Sequence, residues 1–293
     1  MTAFRLAARD RLPRVALGIR RGVSLLGVSA LFALSGCYEE STLLRPPGRG
    51  IAETTETDPT SAAANIESLS DVIRRNPSSS EAFNTRGAAY ARIGRFGEAI
   101  EDFSAAIRIN PDDVAAYTNR ALAYRQAGRN DLARSDFDRA ITVNPNHAPA
   151  YIGRANLLRA QGSLDQAMAD LDQAIRLNPE NAQAFHARGL VRQKLGDNER
   201  AVSDFDNAID RDPFAAAPYQ ARGESLVTLG KYDKAIEDFN AALNVDNKSA
   251  IAWAWLGLAQ DRHGDRAKAQ ESFQRALYLD PNQPIAKQGV RRI

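Results

Sequence analysis

From Ser80 onward, apolar residues recur at three- and four-residue spacing in two short runs, and this arrangement repeats along the chain. In the first copy the runs contain Phe83, Ala88 and Tyr90, and then Ala99, Phe103, Ala106 and Ile107. Such spacing places the apolar residues on one face of an α-helix. Each copy therefore predicts a pair of amphipathic helices. One pair buries too little apolar surface to fold alone, so the copies must stack.

Two residue types mark the copies with a period of 34 residues. One series consists of Pro77, Pro111, Pro145, Pro179, Pro213 and Pro281, with Asn247 in the remaining slot. The other consists of Gly94, Gly128, Gly162, Gly196, Gly230 and Gly264. Glycine accepts the positive φ that ends a helix, and proline cannot continue one. The pattern predicts an all-α solenoid of antiparallel helix pairs.

The spacing of large and small residues within the unit resembles the tetratricopeptide repeat family. At positions 4, 8, 11, 20, 24, 27 and 32 the first copy has Phe83, Gly87, Tyr90, Ala99, Phe103, Ala106 and Pro111. The departures are Leu158, Arg192, Leu226 and Gln260 at position 11, Leu171 at position 24 and Asn247 at position 32. The resemblance implies a right-handed superhelix of six repeats, at 80–113, 114–147, 148–181, 182–215, 216–249 and 250–283.

Shorter segments flank the repeats. Residues 61–79 predict an N-terminal capping helix, a half repeat whose helix runs from about Ser61 to Asn76, and residues 284–293 predict a C-terminal capping helix. Residues 37–60 contain the Pro46-Pro47-Gly48 sequence and little apolar periodicity. This composition predicts a flexible, disordered tether.

The first 36 residues resemble an export signal of the lipoprotein type. Six arginines accompany an apolar run from Gly22 to Ser35, which is shorter than the ~20 residues that span a bilayer. The run ends in Leu34-Ser35-Gly36-Cys37, which resembles the bacterial lipobox. The resemblance implies cleavage before Cys37, a diacylglycerol on its sulfur and an acyl chain, such as palmitate, on the new amine.

Cys37 is the only cysteine, so it has no disulfide partner within the chain. The alternative interpretation is an incidental thiol near a cleavage site. Tyr38 follows the cysteine where an aspartate would favour the inner membrane, so the resemblance implies the outer membrane, with the repeats on the periplasmic face. If the signal is misidentified, the chain is a soluble repeat protein, cytoplasmic or secreted, that assembles or regulates a complex.

The charge of the chain is unevenly distributed. The whole chain carries 38 basic and 36 acidic residues, but the first 36 residues hold six of the arginines and one of the acids. The remainder therefore has a net charge of −3. This balance gives no electrostatic reason to expect nucleic-acid binding.

Comparison of the copies with one another indicates an internal ion pair. Position 7 is arginine and position 23 is aspartate in the first five copies, whereas the sixth has Leu256 and Ser272. Because both partners disappear together, we expect the pairs Arg86–Asp102, Arg120–Asp136, Arg154–Asp170, Arg188–Asp204 and Arg222–Asp238, each between the two helices of one repeat.

The family resemblance also implies a concave groove, lined by the first helix of each repeat, in which a partner segment lies. The corresponding residues are Asn84, Arg92, Asn119, Arg125, Asn156, Arg159, His186, Lys194, Gln220 and Arg262. Amide side chains suit an extended peptide backbone, because they both donate and accept hydrogen bonds. The basic side chains suit an acidic group or a terminal carboxylate. The alternative interpretation of each residue is ordinary solvated helix surface.

No catalytic or metal-binding motif is present in the sequence. His147 and His263 are expected in turns and His186 on a first helix, and none has a second ligand at helical spacing. We therefore expect no enzyme activity, cofactor or metal. The chain most resembles outer-membrane repeat lipoproteins, which serve as adaptors for cell-wall enzymes or as assembly factors for pili, secretins and outer-membrane proteins. The expected partners are envelope proteins or peptides.

Overall fold

The computed structural model describes residues 59–293, with side chains from Ala62 onward. The predicted export signal, Cys37 and most of the predicted tether lie outside the described residues. Residues 59–293 form fourteen α-helices: α1 (Pro59–Arg75), α2 (Ser80–Arg92), α3 (Phe96–Ile109), α4 (Val114–Gln126), α5 (Asn130–Val143), α6 (Ala148–Ala160), α7 (Leu164–Leu177), α8 (Ala182–Lys194), α9 (Asn198–Arg211), α10 (Ala216–Thr228), α11 (Tyr232–Val245), α12 (Ala250–His263), α13 (Arg266–Leu279) and α14 (Pro284–Arg292). The predicted all-α repeat solenoid is confirmed.

Helices α2 to α13 form six antiparallel pairs, one in each predicted repeat. We call α2, α4, α6, α8, α10 and α12 the first helices, and α3, α5, α7, α9, α11 and α13 the second helices. Helix α1 packs against α2 in the way that each second helix packs against the first helix of the next repeat. Helix α14 packs against α13 in the way that each first helix packs against the second helix of the preceding repeat. The two terminal helices are therefore half repeats at the ends of the stack.

The boundaries of the helices follow from local chemistry. The side-chain oxygen of Asp113 accepts a hydrogen bond from the backbone N–H of Ala116 at 2.9 Å, which caps α4. The same position caps other first helices and α14, through Ser79, Asn181, Ser249 and Gln283. After the C-terminal end of α2, Gly94 has a backbone φ of 77°, and the φ of each equivalent glycine is also positive. A residue without Cβ turns the chain there at little cost.

Two observed boundaries differ from the predicted ones. Helix α1 begins at Pro59, two residues inside the predicted tether. Proline is well suited to the first position of a helix, because the missing N–H would have no partner there. His263, which we expected in a turn, is the last residue of α12, and the turn begins with Gly264.

A buried aromatic ring holds each helix pair together. Phe205 at position 24 of the fourth repeat is 0% exposed, between Ala201 and Ala208, which are also fully buried. A Cβ on Gly189 would lie 2.4 Å from the Phe205 ring, so only glycine lets α8 approach α9 this closely. The equivalent buried residues are Phe103, Phe137, Leu171, Phe239 and Phe273. Each buried side chain of this size contributes about 1.5–3 kcal/mol through the hydrophobic effect.

Each arginine at position 7 binds the aspartate at position 23 of its own repeat. Arg154 donates from Nε to Asp170 Oδ2 at 2.8 Å and from Nη2 to Asp170 Oδ1 at 2.7 Å. In the other four repeats the shortest distance between arginine nitrogen and aspartate oxygen is 2.6–2.7 Å, for Arg86–Asp102, Arg120–Asp136, Arg188–Asp204 and Arg222–Asp238. Two parallel bonds of this kind fix both helices in one relative position.

The same arginines also reach back to the preceding repeat, which the sequence comparison missed. Arg154 donates from Nη1 to Asp138 Oδ1 at 2.7 Å. The equivalent acceptors at position 25 of the preceding unit are Ser70, Ser104, Asp172 and Asp206. In the sixth repeat Leu256 replaces the arginine, and Ser272 Oγ instead donates to Gln260 Oε1 at 2.7 Å. The arginines therefore bridge successive repeats as well as the two helices of one repeat.

Among residues 59–293, no helix combines the length and the hydrophobicity that crossing a membrane requires.

Candidate partner-binding surface

The first helices of successive repeats contact one another along the stack. Within the described region, no two second helices are in contact; each contacts the first helix of its own repeat and that of the next. The stack therefore has a face formed by the first helices. We call the side chains at positions 5, 6, 9, 12 and 13 of these helices the first-helix surface.

All ten predicted groove residues lie on first helices. Seven are half-buried: Asn84, Asn119, Arg125, Asn156, Arg159, His186 and Gln220. Three at the helix ends are exposed: Arg92, Lys194 and Arg262. Partial burial on neighbouring first helices means that these polar groups line a shared surface. Their side chains have fewer conformations open to them than fully exposed side chains have.

Several amide side chains link neighbouring first helices. Asn119 Nδ2 donates to Asn84 Oδ1 at 3.0 Å, between the second and first repeats. Gln193 Nε2 donates to the carbonyl of Ala221 at 2.8 Å and to Ser225 Oγ at 2.9 Å, between the fourth and fifth repeats. An amide offers two donors and two acceptor lone pairs, so one such bond leaves further capacity for a peptide backbone.

Three basic groups of the third and fourth repeats lie close together. Lys194 Nζ donates to the backbone carbonyl of Arg159 at 3.3 Å. Burial, together with a smaller effect of the positive charge of Arg159, lowers the pKa of His186 to about 4. The His186 ring lies 5.8 Å from the Phe205 ring, centroid to centroid. His186 is therefore neutral at neutral pH, while Arg159 and Lys194 supply positive charge.

The opposite end of the first-helix surface has a different electrostatic character. Burial raises the pKa of Glu224, although Gln220 donates a hydrogen bond to it at 3.1 Å. Asp261 forms an ion pair with Arg292 of α14. Among the predicted groove residues, the sixth repeat contributes one exposed cation, Arg262. Of the five predicted cations of the first-helix surface, four thus lie on the first four repeats.

We expect the neutral state of His186 to make stability depend on pH. The folded-state pKa of about 4 is below the ordinary value of 6.5. As the pH falls below 6.5, the unfolded chain binds a proton that the folded chain does not, so the free energy of unfolding decreases. Between pH 7 and pH 5, the wild type should lose about 2 kcal/mol more than a His186→Gln variant.

Urea unfolding at the two pH values, followed by circular dichroism, measures this difference. His263→Gln is the matched control, because His263 is exposed at the end of α12. Equal pH dependence in the wild type and in His186→Gln would show that His186 titrates normally.

Family models for tetratricopeptide repeats match most of the repeat region. A TPR repeat model matches 87–128 and 155–196, and three tetratricopeptide repeat models match 114–147, 182–214 and 221–284. The chain therefore belongs to the tetratricopeptide repeat family. This membership supports a role in binding proteins or peptides. No curated protein matches the chain.

Solved structures with a similar fold include repeat proteins of several kinds. The Cut9–Hcn1 hetero-tetramer of the APC/C matches at a TM-score of 0.72 and 20% identity, covering 79% of this chain and 46% of that one. YrrB, a repeat protein with an unusual peptide-binding site, matches at a TM-score of 0.53 and 24% identity, and the match covers 66% of this chain and 100% of YrrB. PilW, a type IV pilus biogenesis factor, matches at a TM-score of 0.65 and 17% identity, and the match covers 71% of this chain and 97% of PilW. At these identities the likeness is one of fold.

Proposed function

We propose that the chain is a non-catalytic scaffold, anchored by a lipid on Cys37 in the bacterial cell envelope, which binds partner proteins or peptides on its first-helix surface. The observation that carries the proposal is the set of half-buried amide and basic side chains at positions 5, 6, 9 and 12 of the first helices of the first five repeats. A repeated arrangement of this kind suits an extended segment, whose own groups recur along its length.

The chemistry of the surface indicates how a partner would bind. The amides of Asn119, Asn156 and Gln193 offer hydrogen bonds to a peptide backbone. Arg125 and Arg159 occupy the same position in the second and third repeats and suit carboxylates of the partner. The partners we favour are envelope proteins such as cell-wall enzymes or assembly factors. The peptide-binding site of YrrB and the pilus role of PilW are consistent with this class of function.

The proposed location rests on the sequence before the repeats. A basic leader, an apolar run of about 14 residues and a terminal Leu34-Ser35-Gly36-Cys37 occur in the order that lipoprotein export requires. Several acyl chains hold a protein on a membrane durably, whereas a single chain binds only reversibly. We place the repeats on the periplasmic face, at the outer membrane.

Replacement of Cys37 tests this location. We expect the wild type in the membrane fraction with an acylated Cys37 as its N-terminal residue, as read by mass spectrometry. Cys37→Ala should retain its leader or appear in soluble fractions, whereas Ser41→Ala, a matched control beyond the lipobox, should behave as the wild type. A soluble wild type that retains Met1 would contradict the lipid anchor and favour a soluble assembly or regulatory factor.

A further inference from the structure

Glu224 is a half-buried carboxylate with no ion-pair partner among the described residues. Within that part of the chain, its carboxylate accepts one hydrogen bond, from Gln220 Nε2 at 3.1 Å. A carboxylate can accept about four hydrogen bonds, so Glu224 retains capacity for a further donor. It occupies position 9 of α10, where the other repeats have uncharged residues: Ala88, Leu122, Asn156, Leu190 and Leu258.

The side chains that surround Glu224 on the first-helix surface are apolar on three sides. Leu190 and Leu258 occupy the same position on the first helices to either side, and both are half-buried. Val227 lies one turn further along α10. These neighbours remove water from the carboxylate without supplying a charge, and burial therefore raises its pKa. A ligand that brings a positive charge offsets part of this cost of burial.

An indole ring occupies position 6 of the sixth repeat. Trp255 stacks on the buried ring of Phe239, with 6.4 Å between the ring centroids and 18° between the ring planes. Trp255 is half-buried, so part of its surface is open to a ligand. The other five repeats have smaller side chains at this position: Thr85, Asn119, Gly153, Ala187 and Ala221.

Contacts between other repeats show which side chains a residue at position 6 faces. Asn119, at position 6, hydrogen-bonds to Asn84 at position 5 of the preceding repeat. Gln193, at position 12, hydrogen-bonds to the backbone of Ala221 at position 6 of the following repeat. A residue at position 6 therefore lies against positions 5 and 12 of the repeat before it.

The same register brings Trp255 beside α10. Positions 5 and 12 of the fifth repeat are Gln220 and Val227, and Val227 and Trp255 pack against one apolar cluster. Glu224 lies between Gln220 and Val227, because residues i, i+4 and i+7 share one face of a helix. The carboxylate and the indole ring therefore border the same part of the first-helix surface.

We propose that Glu224 and Trp255 form a subsite for the positively charged side chain of a lysine or arginine in the partner segment. The carboxylate accepts charge-assisted hydrogen bonds from the cation. The indole face attracts the same charge, and tryptophan does so more strongly than the other aromatic side chains. This subsite rests on the proposed function, because the segment must lie on the first-helix surface. It specifies the residue type that the segment presents to the fifth and sixth repeats.

Selection from a random library of nine-residue peptides displayed on phage tests the subsite. We expect the wild type to retain peptides in which lysine or arginine is enriched at one position. Glu224→Gln should reduce this enrichment about tenfold, because the amide keeps the size of the side chain and removes its charge. Glu237→Gln is the matched control, since it makes the same change at an exposed site on α11 of the same repeat, and it should keep the enrichment.

The results of this selection distinguish a failure of the subsite from a failure of the proposed function. Retained peptides without a preference for lysine or arginine, or with an equal preference in Glu224→Gln, would overturn the subsite and leave peptide binding in place. Retention of no peptide by the wild type would contradict the binding of an extended segment, and the subsite with it.

A double-mutant cycle with one selected peptide measures the contact itself. The labelled peptide and its analogue with glutamine in place of the basic residue are titrated against the wild type, Glu224→Gln and Glu237→Gln by fluorescence anisotropy. Loss of the peptide cation should weaken binding about tenfold to the wild type and to Glu237→Gln, and less than about twofold to Glu224→Gln. An equal loss for all three proteins would show that the cation binds elsewhere.

Trp255→Leu tests the contribution of the indole ring. Leucine keeps an apolar side chain against Phe239 and removes the aromatic face. The affinity for the cationic peptide should therefore fall about threefold more than the affinity for the glutamine analogue. Equal losses for the two peptides would overturn the assigned role of Trp255.

Discussion

Replacing Arg154 with alanine is expected to lower the free energy of unfolding by roughly 3–5 kcal/mol, because the change leaves a buried carboxylate without its partner. The side chain of Asp170 is only 9% exposed, and both its oxygens accept from Arg154. Hydrogen bonds from Arg154 to Asp170 and Asp138 raise the pKa of the guanidinium group, although burial opposes them. The pair is therefore favoured in its ionised form.

Two further variants show whether the loss comes from the buried charge. Asp138→Ala removes the inter-repeat acceptor, which is 49% exposed, and should cost less than about 1 kcal/mol. Arg154→Leu with Asp170→Leu removes both buried charges and should cost much less than Arg154→Ala. Urea unfolding followed by circular dichroism measures all three. A loss below about 1 kcal/mol in Arg154→Ala would contradict the assigned role of the pair.

Replacing Phe205 with alanine is expected to cost about 3–5 kcal/mol, because it opens a cavity between α8 and α9. Phe205 is 0% exposed and lies against Gly189. Phe214→Ala is a matched control of the same substitution in the same repeat, and Phe214 is 83% exposed. The control should change stability by less than about 0.5 kcal/mol.

We also predict which helices lose stability in Phe205→Ala. Helices contact only neighbours in the stack, so a weakened repeat should open locally before the rest of the solenoid. Hydrogen exchange should increase in α8, α9 and α10 and change little in α2 and α3. A uniform increase along the whole chain would contradict this nearest-neighbour account.

Much of the fold could be predicted because local chemistry repeats at one period. Gly94 and its equivalents need positive φ, and Pro111 and its equivalents end helices, so two independent residue types give the same register. The pairing of Arg154 with Asp170 was also accessible, since the loss of both partners in the sixth repeat links them. Comparing the copies thus indicated a contact without any coordinates.

Other features depend on neighbours that sequence spacing does not identify. The bridge from Arg154 to Asp138 was missed because position 25 is serine in some units and aspartate in others. The low pKa of His186 comes mainly from burial, with a smaller effect of Arg159, which belongs to another repeat.

The lipid anchor on Cys37 stays a prediction from the sequence, since it lies outside the described residues. The use of the first-helix surface is a separate proposal, because a solenoid can present the same surface in any compartment. The two proposals therefore need separate measurements, and a failure of one leaves the other in place.

Partner capture from a cell-envelope extract tests the central claim most directly. The wild type is compared with Arg125→Glu, Arg159→Glu and Lys194→Glu combined, and with Arg108→Glu, Arg176→Glu and Lys248→Glu combined as a control of equal charge at the opposite edge. Chemical crosslinking followed by mass spectrometry identifies and quantifies the retained proteins. The account predicts that the first-helix variant loses the partners that the wild type and the control retain. Unchanged capture by that variant would contradict binding on the first-helix surface.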